Sequence, residues 1–511
     1  MRRALLSVWD KTALEELAHG LAELGWTLVS SGNTAAFLEE HGLEVTRVEE
    51  VTGAPEMLGG RVKTLHPRVH GGILARRDRD DDLATLAEHD IEPFDLVCVN
   101  LYPFASVAAS PDAGEQEVVE MIDVGGPAML RAAAKNFAHV AAVSSPGQYP
   151  LVLEELRGHG EIRPETRRRL AQEAFAASAG YESAIAAWFA GSDPFPERLT
   201  ISLQKVADLS YGENPHQAAA YYRETGAQRH LLSEVEQLGG KELSYNNLAD
   251  LEGARRVIRE LDRPAAVIVK HANPCGVAVA DTAAQAWERA LASDPVSAFG
   301  CVAILNRPVD GALGRRIAEH FVEVLLAPGY DEEALAALRG RKALRILRGG
   351  DDEPAAPGER DVKRVLGGLL VQDRDDGLDD RATMTVACGS VSEELWESLL
   401  FAWRVCKHVS SNAIVLARGL RTIGVGAGQM SRVDAVRIAL EKAREHGHDL
   451  HGAVLASDAF FPFADGPQLA LDAGVAAIVQ PGGSRRDAEV LAAVEAAGAA
   501  MVLTGTRHFR H

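Results

Sequence analysis

Two short stretches carry side chains whose types and spacing could do chemistry. In one, Lys270 and His271 stand side by side. They follow Ala265–Val269, a β-branched-rich apolar run, and precede Asn273-Pro274-Cys275-Gly276. The run reads as a buried strand and the NPCG stretch as a chain break. An ammonium beside an imidazole that titrates near neutrality suits proton transfer to or from a weak nucleophile. In the other, Arg61, Lys63, His66, Arg68 and His70 are interleaved with Gly59, Gly60, Gly71 and Gly72. The period there is neither helical nor strand-like, so the stretch reads as a loop. Glycines allow close backbone approach, and Arg and Lys are natural partners of phosphates and oxyanions. The plainer readings are a surface pair and a solvated basic loop.

The rest of the chain must supply the elements that hold these groups. At 511 residues it exceeds one typical domain, and two or three are expected. Apolar residues at 47% and charged residues at 25% describe an ordinary globular protein. A formal charge of −20 argues against a nucleic-acid partner, but not against a small anion held in local cationic pockets. Cys98, Cys275, Cys301, Cys388 and Cys406 are scattered with no CxxC, which favours free thiols in a reducing compartment. MRRALLSVWDK reads as a first strand and not a signal peptide. No run approaches the ~20 apolar residues of a membrane helix. A cytoplasmic protein without membrane contact is the expectation.

ALLSV, WTLVSS, DLVCVNLYPF and VAAVSS read as four strands alternating with helices, hence a right-handed, mainly parallel sheet. Asp10 is expected to cap a helix from about Lys11, with Leu14, Leu17, Leu21 and Leu24 on one face. Ser31-Gly32-Asn33-Thr34 leads into a helix N-terminus, where free N–H groups and the helix dipole could face a phosphate. An ordinary turn with a capping Thr is the alternative. Asn100, Tyr102 and Asp123 fall at strand ends, and the helix after Gly125-Gly126 carries Lys135.

A boundary is expected near 191–199, where SDPFPERL carries two prolines, giving domains 1–195 and 200–511. Tyr211 to Gln217, YGENPHQ, reads as a polar, turn-rich loop. Beyond the opening pair, the pattern is helix, Ser-Asp-Pro turn and strand. A second copy follows, with Lys407-His408, a glycine loop, a helix and another Ala-Ser-Asp turn. Two similar α/β halves are therefore expected. The acidic inserts at 348–361 and 373–381 carry no readable chemistry. GVGAG at 424–428 lacks the dinucleotide spacing and reads as a helix N-terminus with Arg432 one turn in. The cationic tail LTGTRHFRH follows an apolar strand, MVL, which pins it near a sheet edge; such tails are usually solvated.

SVWDK, SSGNTAAF, GGRVKTLHPRVHGG, NLYPF and IDVGGPAMLRAAAKN together resemble the inosine monophosphate cyclohydrolase domain of the bifunctional purine-biosynthesis enzymes. The fold of that domain is similar to methylglyoxal synthase, a doubly wound parallel sheet. The resemblance implies that Lys11, Ser31, Gly32, Thr34, Arg61, Thr64 and Asn100 hold the nucleotide. It assigns ring closure to Lys63, Tyr102, Asp123 and Lys135. Trp9 stands where the family has a small residue, and Asn33 where Gly is common.

YGENPHQ, KHANPCGVAV, SDPVSAFG, SSNAIV, GAGQMSRVDAV, VQPGGSRRD and TRHFRH resemble the formyltransferase domain acting on 5-aminoimidazole-4-carboxamide ribonucleotide (AICAR). Its halves are similar in fold to cytidine deaminase. A deaminase zinc site needs HxE and PCxxC; the second thiolate is missing after Pro274-Cys275, so no metal is expected. The resemblance makes His271 the base and Lys270 the electrostatic stabiliser, with Asn412 on the formyl oxygen or carboxamide. Tyr211, Glu323, Arg432, Phe460 and Arg507 would position the ribonucleotide. Val433, Asp465, Ser484 and Arg485 would line the side of the co-substrate, 10-formyltetrahydrofolate. Ser210 replaces the family's Arg, which leaves the phosphate site short of a charge, a loss of ~1–2 kcal/mol of binding. The family further implies a homodimer with shared formyltransferase sites. The rival readings are an enzyme with one active domain, and a nucleotide sensor. A sensor has no need of four proton-handling groups.

Overall fold

A computed structural model describes all residues except Met1, Ser192, Gly226, Gln228, Glu234, 351–358 and Leu378. The core of the acidic insert at 348–361 thus lies outside the described residues. The chain divides into two compact units, one of residues 1–204 with 223–228 and the other of 205–222 with 229–511. No helix among the described residues is long and apolar enough to cross a membrane.

The first unit is built on five parallel strands in the spatial order Val45–Arg47, Thr27–Ser30, Arg3–Val8, Leu96–Asn100, Ala141–Val143. The central strands are continuous apolar runs, as strands covered by helices on both faces must be. Leu5, Val29 and Val97 face one core, and Leu6, Leu28 and Leu96 the other. A fifth strand, Val45–Arg47, adds to the four expected; three residues are too few to show a period.

The first helix is Leu14–Glu23, three residues later than expected. Asp10 accepts from the Thr12 N–H instead of capping the helix, and Ala13 enters the helix left-handed at φ 53°. Leu14, Leu17 and Leu21 are fully buried, but Leu24 lies past the last turn and is exposed. The basic stretch is only half loop. A helix, Pro67–Leu74, begins at its His-Pro step, with His66 accepting from the Arg68 N–H and Pro67 supplying the first helical φ. Gly72 belongs to this helix because a Cβ there would lie 2.6 Å from the Glu92 carbonyl oxygen.

The second unit contains two six-stranded mixed sheets that match strand for strand. One runs Asn273–Val279, Ala265–Lys270, Cys301–Leu305, Val322–Ala327, Arg345–Arg348, Glu236–Gly239. The other runs Thr422–Gly426, Ile414–Ala417, Val454–Ser457, Ala477–Gln480, Ala500–Leu503, Thr385–Cys388. Each has an antiparallel hairpin, three parallel strands joined through helices, and an antiparallel edge strand. The expected duplication is therefore present in the topology. Helices Tyr245–Ile258 and Glu393–Lys407 share one core, where Leu251 and Val257 join Trp403, Leu399 and strand residues of both sheets.

Two expectations change here. Asn273 to Gly276 is no break: the chain reverses one step earlier, at His271-Ala272, and NPCG starts the returning strand with a bulge between Pro274 and Gly276. Lys407-His408 is not the counterpart of Lys270-His271. It ends a helix, and both side chains are buried against Glu260, with His408 Nε2 2.6 Å from its carboxylate.

Candidate active sites

The first unit gathers its charged groups where the parallel strands end. Helix Gly32–Glu40 starts directly after strand Thr27–Ser30, so its first N–H groups open toward that edge. The Lys63 ammonium lies there, 3.0 Å from where a Cβ on Gly32 would sit. Gly60, at φ 98°, would place a Cβ 2.9 Å from Lys63 Cε. These glycines therefore make room for the lysine of their own site. An ammonium beside the positive end of a helix is an unfavourable pairing that a bound anion relieves. Without one, Glu56 takes the charge at 3.1 Å. Lys11 points its ammonium back at the Val8 and Trp9 carbonyls, and burial lowers its pKa. Thr34 is committed to Val8, accepting from its N–H and donating to its carbonyl, so Thr34 offers a ligand its backbone and not its hydroxyl.

Asp123 forms the opposite wall. Its carboxylate accepts from the Gly126 N–H at 2.8 Å, at the start of helix Gly125–Lys135. Burial pushes its pKa up despite those amide bonds. Tyr181 holds the Asp123 backbone, accepting its N–H at 2.7 Å and donating to Met121 O at 2.6 Å. Tyr102 is raised by burial and by the charges of Asp123 and Glu56. Its ring packs on Trp9 at 5.1 Å between centroids. Asn100 ties down Trp9 and Asp10, accepting both N–H groups on Oδ1. Thr64 is buried against Gly125, whose Cβ would meet its Oγ1 at 2.9 Å. Ser31 is buried at the helix entry, and Arg61 pairs with Glu120 at the surface. Lys135 stands apart. It is exposed at the far end of the helix from Asp123, about 15 Å along the axis at 1.5 Å per residue.

In the second unit, Lys270 and His271 sit at a two-residue hairpin turn. His271 and Ala272 both have left-handed backbones, φ 52° and 56°, as a type I′ turn requires. Non-glycine residues hold that conformation at a cost of about 1–3 kcal/mol each, so surrounding bonds must impose it. Asp250 supplies one: its carboxylate accepts the Ala272 N–H at 2.6 Å. Burial raises the Asp250 pKa, opposed by its bonds to the turn. His271 is exposed, and Lys270 donates to the Phe299 and Gly300 carbonyls at 3.0 and 2.8 Å. That fixes the ammonium and leaves it one further donor.

Beside Lys270 lies Phe321, across Gly300, and Phe321 lines a cleft of about 530 Å³ with Ser210, Tyr211, Lys241, Glu323 and Arg345. Arg345 is committed to the Glu242 carbonyl. Glu323 accepts from Asn247 at 3.1 Å. Lys241 is exposed and its ammonium has no partner among the described residues.

The edge of the other sheet where its parallel strands end, opposite to the one that corresponds to the Lys270-His271 hairpin, collects the remaining residues. Its strand order brings 410–412, 427–433, 458–465, 481–485 and 504–508 to one side. Asn412, which follows a cis peptide bond, donates to Gln429 O at 2.8 Å and accepts from Arg432 at 2.7 Å. Arg432 is buried and also bound to Ser457 and Asp458, so it orients Asn412. Arg507 is exposed over the Phe509 ring, and Phe460 is exposed. Val433 is half-buried. Asp465 and Ser484 accept from the Gly466 and Arg486 N–H groups, and Arg485 is exposed. Glu56, Tyr181, Asp250, Lys241 and Arg510 were not legible as site residues. Their partners lie far away in sequence or along irregular chain, where no period marks them.

The fold and its two clusters define a two-unit α/β enzyme, one unit setting Lys63 beside a helix N-terminus and the other presenting a Lys-His turn. A family model described as MGS-like domain matches residues 13–128. One described as AICARFT/IMPCHase bienzyme matches residues 133–442. Proteins named bifunctional purine biosynthesis protein PurH are similar over the whole length. Those of Magnetococcus marinus and Sorangium cellulosum are each 50% identical over 100% of this chain and 99% and 100% of their own. That of Cyanothece is 51% identical over 99% of both. A crystal structure titled ForH is 44% identical over 37% of this chain and 98% of its own, with a TM-score of 0.34. The chain belongs to the AICARFT/IMPCHase bienzyme family.

Proposed function

We infer that the chain performs the last two steps of purine-nucleotide synthesis that its family describes. It transfers a formyl group from 10-formyltetrahydrofolate to AICAR, then closes the ring to inosine monophosphate. We assign ring closure to residues 1–195 and formyl transfer to 200–511.

The amine of AICAR is a weak nucleophile because its lone pair is delocalised toward the carboxamide. In our reading His271 removes its proton as nitrogen attacks the formyl carbon. Lys270, held by two carbonyls, stabilises the developing oxyanion with its remaining donor. The C–N10 bond breaks and N10 leaves with a proton. Tyr211, Glu323 and Lys241 receive the ribonucleotide in the cleft. Asn412, oriented by Arg432, takes the formyl oxygen or carboxamide, and Phe460 and Arg507 complete the nucleotide side. Val433, Asp465, Ser484 and Arg485 flank the folate. In the first unit the carboxamide nitrogen attacks the new formyl carbon and water is lost. Asp123, whose pKa burial raises, and Tyr102 handle those protons, and Lys63 holds the charge. The exposed position of Lys135 supports no direct part in this step.

The single observation that carries the reading is the hairpin that presents Lys270 and His271, with the Lys270 ammonium fixed beside Phe321 of the cleft. A homodimer is part of it, supported by the exposed Phe299–Phe321 ring pair beside that cleft. So is a cytoplasmic location, supported by five free thiols. The test is separation of the activities. His271→Ala should abolish formyl transfer and spare ring closure, and Lys63→Ala should do the reverse. Loss of both activities in either variant contradicts the scheme.

A further inference from the structure

The turn that carries His271 is held at Ala272, through both peptide groups that flank that residue. Its N–H side is the Asp250 carboxylate, at 2.6 Å from the Ala272 nitrogen. Its C=O side is a guanidinium: Arg510 Nη1 donates to the Ala272 carbonyl at 2.8 Å. The same nitrogen donates to the His408 carbonyl. Arg510 is the second-last residue of the chain, and its backbone is not loose. Its carbonyl accepts from the Ser411 N–H at 2.8 Å and its N–H donates to Ser411 Oγ at 3.2 Å. Ser411 immediately precedes Asn412. On the other flank of the turn, Asn273 Oδ1 accepts the Ser410 N–H at 2.8 Å. Two residues before Arg510, His508 is buried between Asp375 and Asp379, which anchors the tail.

We propose that Arg510 is a positioning residue of formyl transfer, coupling the left-handed turn that aims His271 to the loop that presents Asn412. It touches no reacting atom. It acts by fixing the Ala272 carbonyl and the 410–412 backbone as one body, so base and amide keep one spacing. A left-handed pair of non-glycine residues has no intrinsic preference for this shape, and two opposite charges on the peptide groups either side of Ala272 select it. The inference rests on His271 being the base.

The test uses the full chain and measures both activities. Arg510→Gln should lower kcat for formyl transfer at least tenfold, change KM for AICAR less than twofold, and leave ring closure and melting temperature near wild type. Arg510→Lys, which keeps a charged donor, should recover part of kcat. Unchanged kcat, or a loss carried by KM alone, overturns the proposal. Should Arg510→Gln fail to fold, Asp250→Asn probes the same turn residue, Ala272, at its N–H with the same expected split, and unchanged kcat there overturns it. His271→Ala is the control. If it retains formyl transfer, the assignment of the base fails. If it is inactive while Arg510→Gln is normal, only the positioning role fails.

Discussion

A Cβ on Gly126 would lie 2.1 Å from Asp123 Oδ2, closer than any such contact allows. The carboxylate folds back over the helix start into the space that glycine leaves, where it accepts the Gly126 N–H at 2.8 Å. Gly126→Ala should therefore expel the carboxylate without touching the sheet. Ring closure should fall about 10²-fold, the scale of loss when a catalytic group is misplaced by ~1 Å. Formyl transfer should be unchanged. Assaying cyclisation of the formylated nucleotide and formyl transfer on one preparation checks both.

Trp9 packs its ring on Tyr102. The pair restrains a tyrosine that is otherwise well exposed. Aromatic pairs contribute about 0.5–1.5 kcal/mol, so Trp9→Ser should lower kcat for ring closure about two- to tenfold. The melting temperature should barely move, because Trp9 is itself half exposed. An increase in kcat would show that Trp9 obstructs the site.

Lys241 lines the cleft beside Phe321 and has no partner among the described residues, and the Ser210 hydroxyl beside it donates to the Leu243 carbonyl. Lys241→Gln should raise KM for AICAR about tenfold, from the loss of one charge-assisted bond. Adding Ser210→Arg should lower it again. Equal KM in Lys241→Gln and wild type would place the phosphate elsewhere.

His508 is clamped by Asp375 Oδ2 at 2.5 Å and Asp379 Oδ2 at 2.6 Å. Burial disfavours its charge, but the two carboxylates outweigh that and raise its pKa from 6.5 to about 9. Its contribution to stability is complete below pH 6.5 and is lost as pH rises through about 9. The two carboxylates have lowered pKa values, so their contribution is complete above the ordinary 3.8 and lost as pH falls below it. Melting temperature should therefore decline between pH 6.5 and 9, and His508→Gln should flatten that decline. A wild-type profile level through pH 9 would contradict a charged His508.

The sequence by itself determined most of the local elements and the family whose two chemistries the chain carries. Short β-branched apolar runs bounded by turn residues became buried strands, and Lys270-His271 follows such a run. Even the duplication in the second unit was readable from repeated turns. It misled where a pattern had two physical meanings. The NPCG stretch looked like a break but pairs as an edge strand, because edge strands tolerate proline and a bulge. Lys407-His408 looked like the repeat of Lys270-His271 in a second copy, but packing buries it against Glu260. Only the tertiary structure decided that Lys135 lies a helix length from Asp123, that Arg432 holds Asn412, and that the chain terminus reaches back 238 residues to hold the His271 turn. Those relations depend on which strand ends share an edge. Strand order follows from the packing of all the helices at once, and no local spacing encodes it.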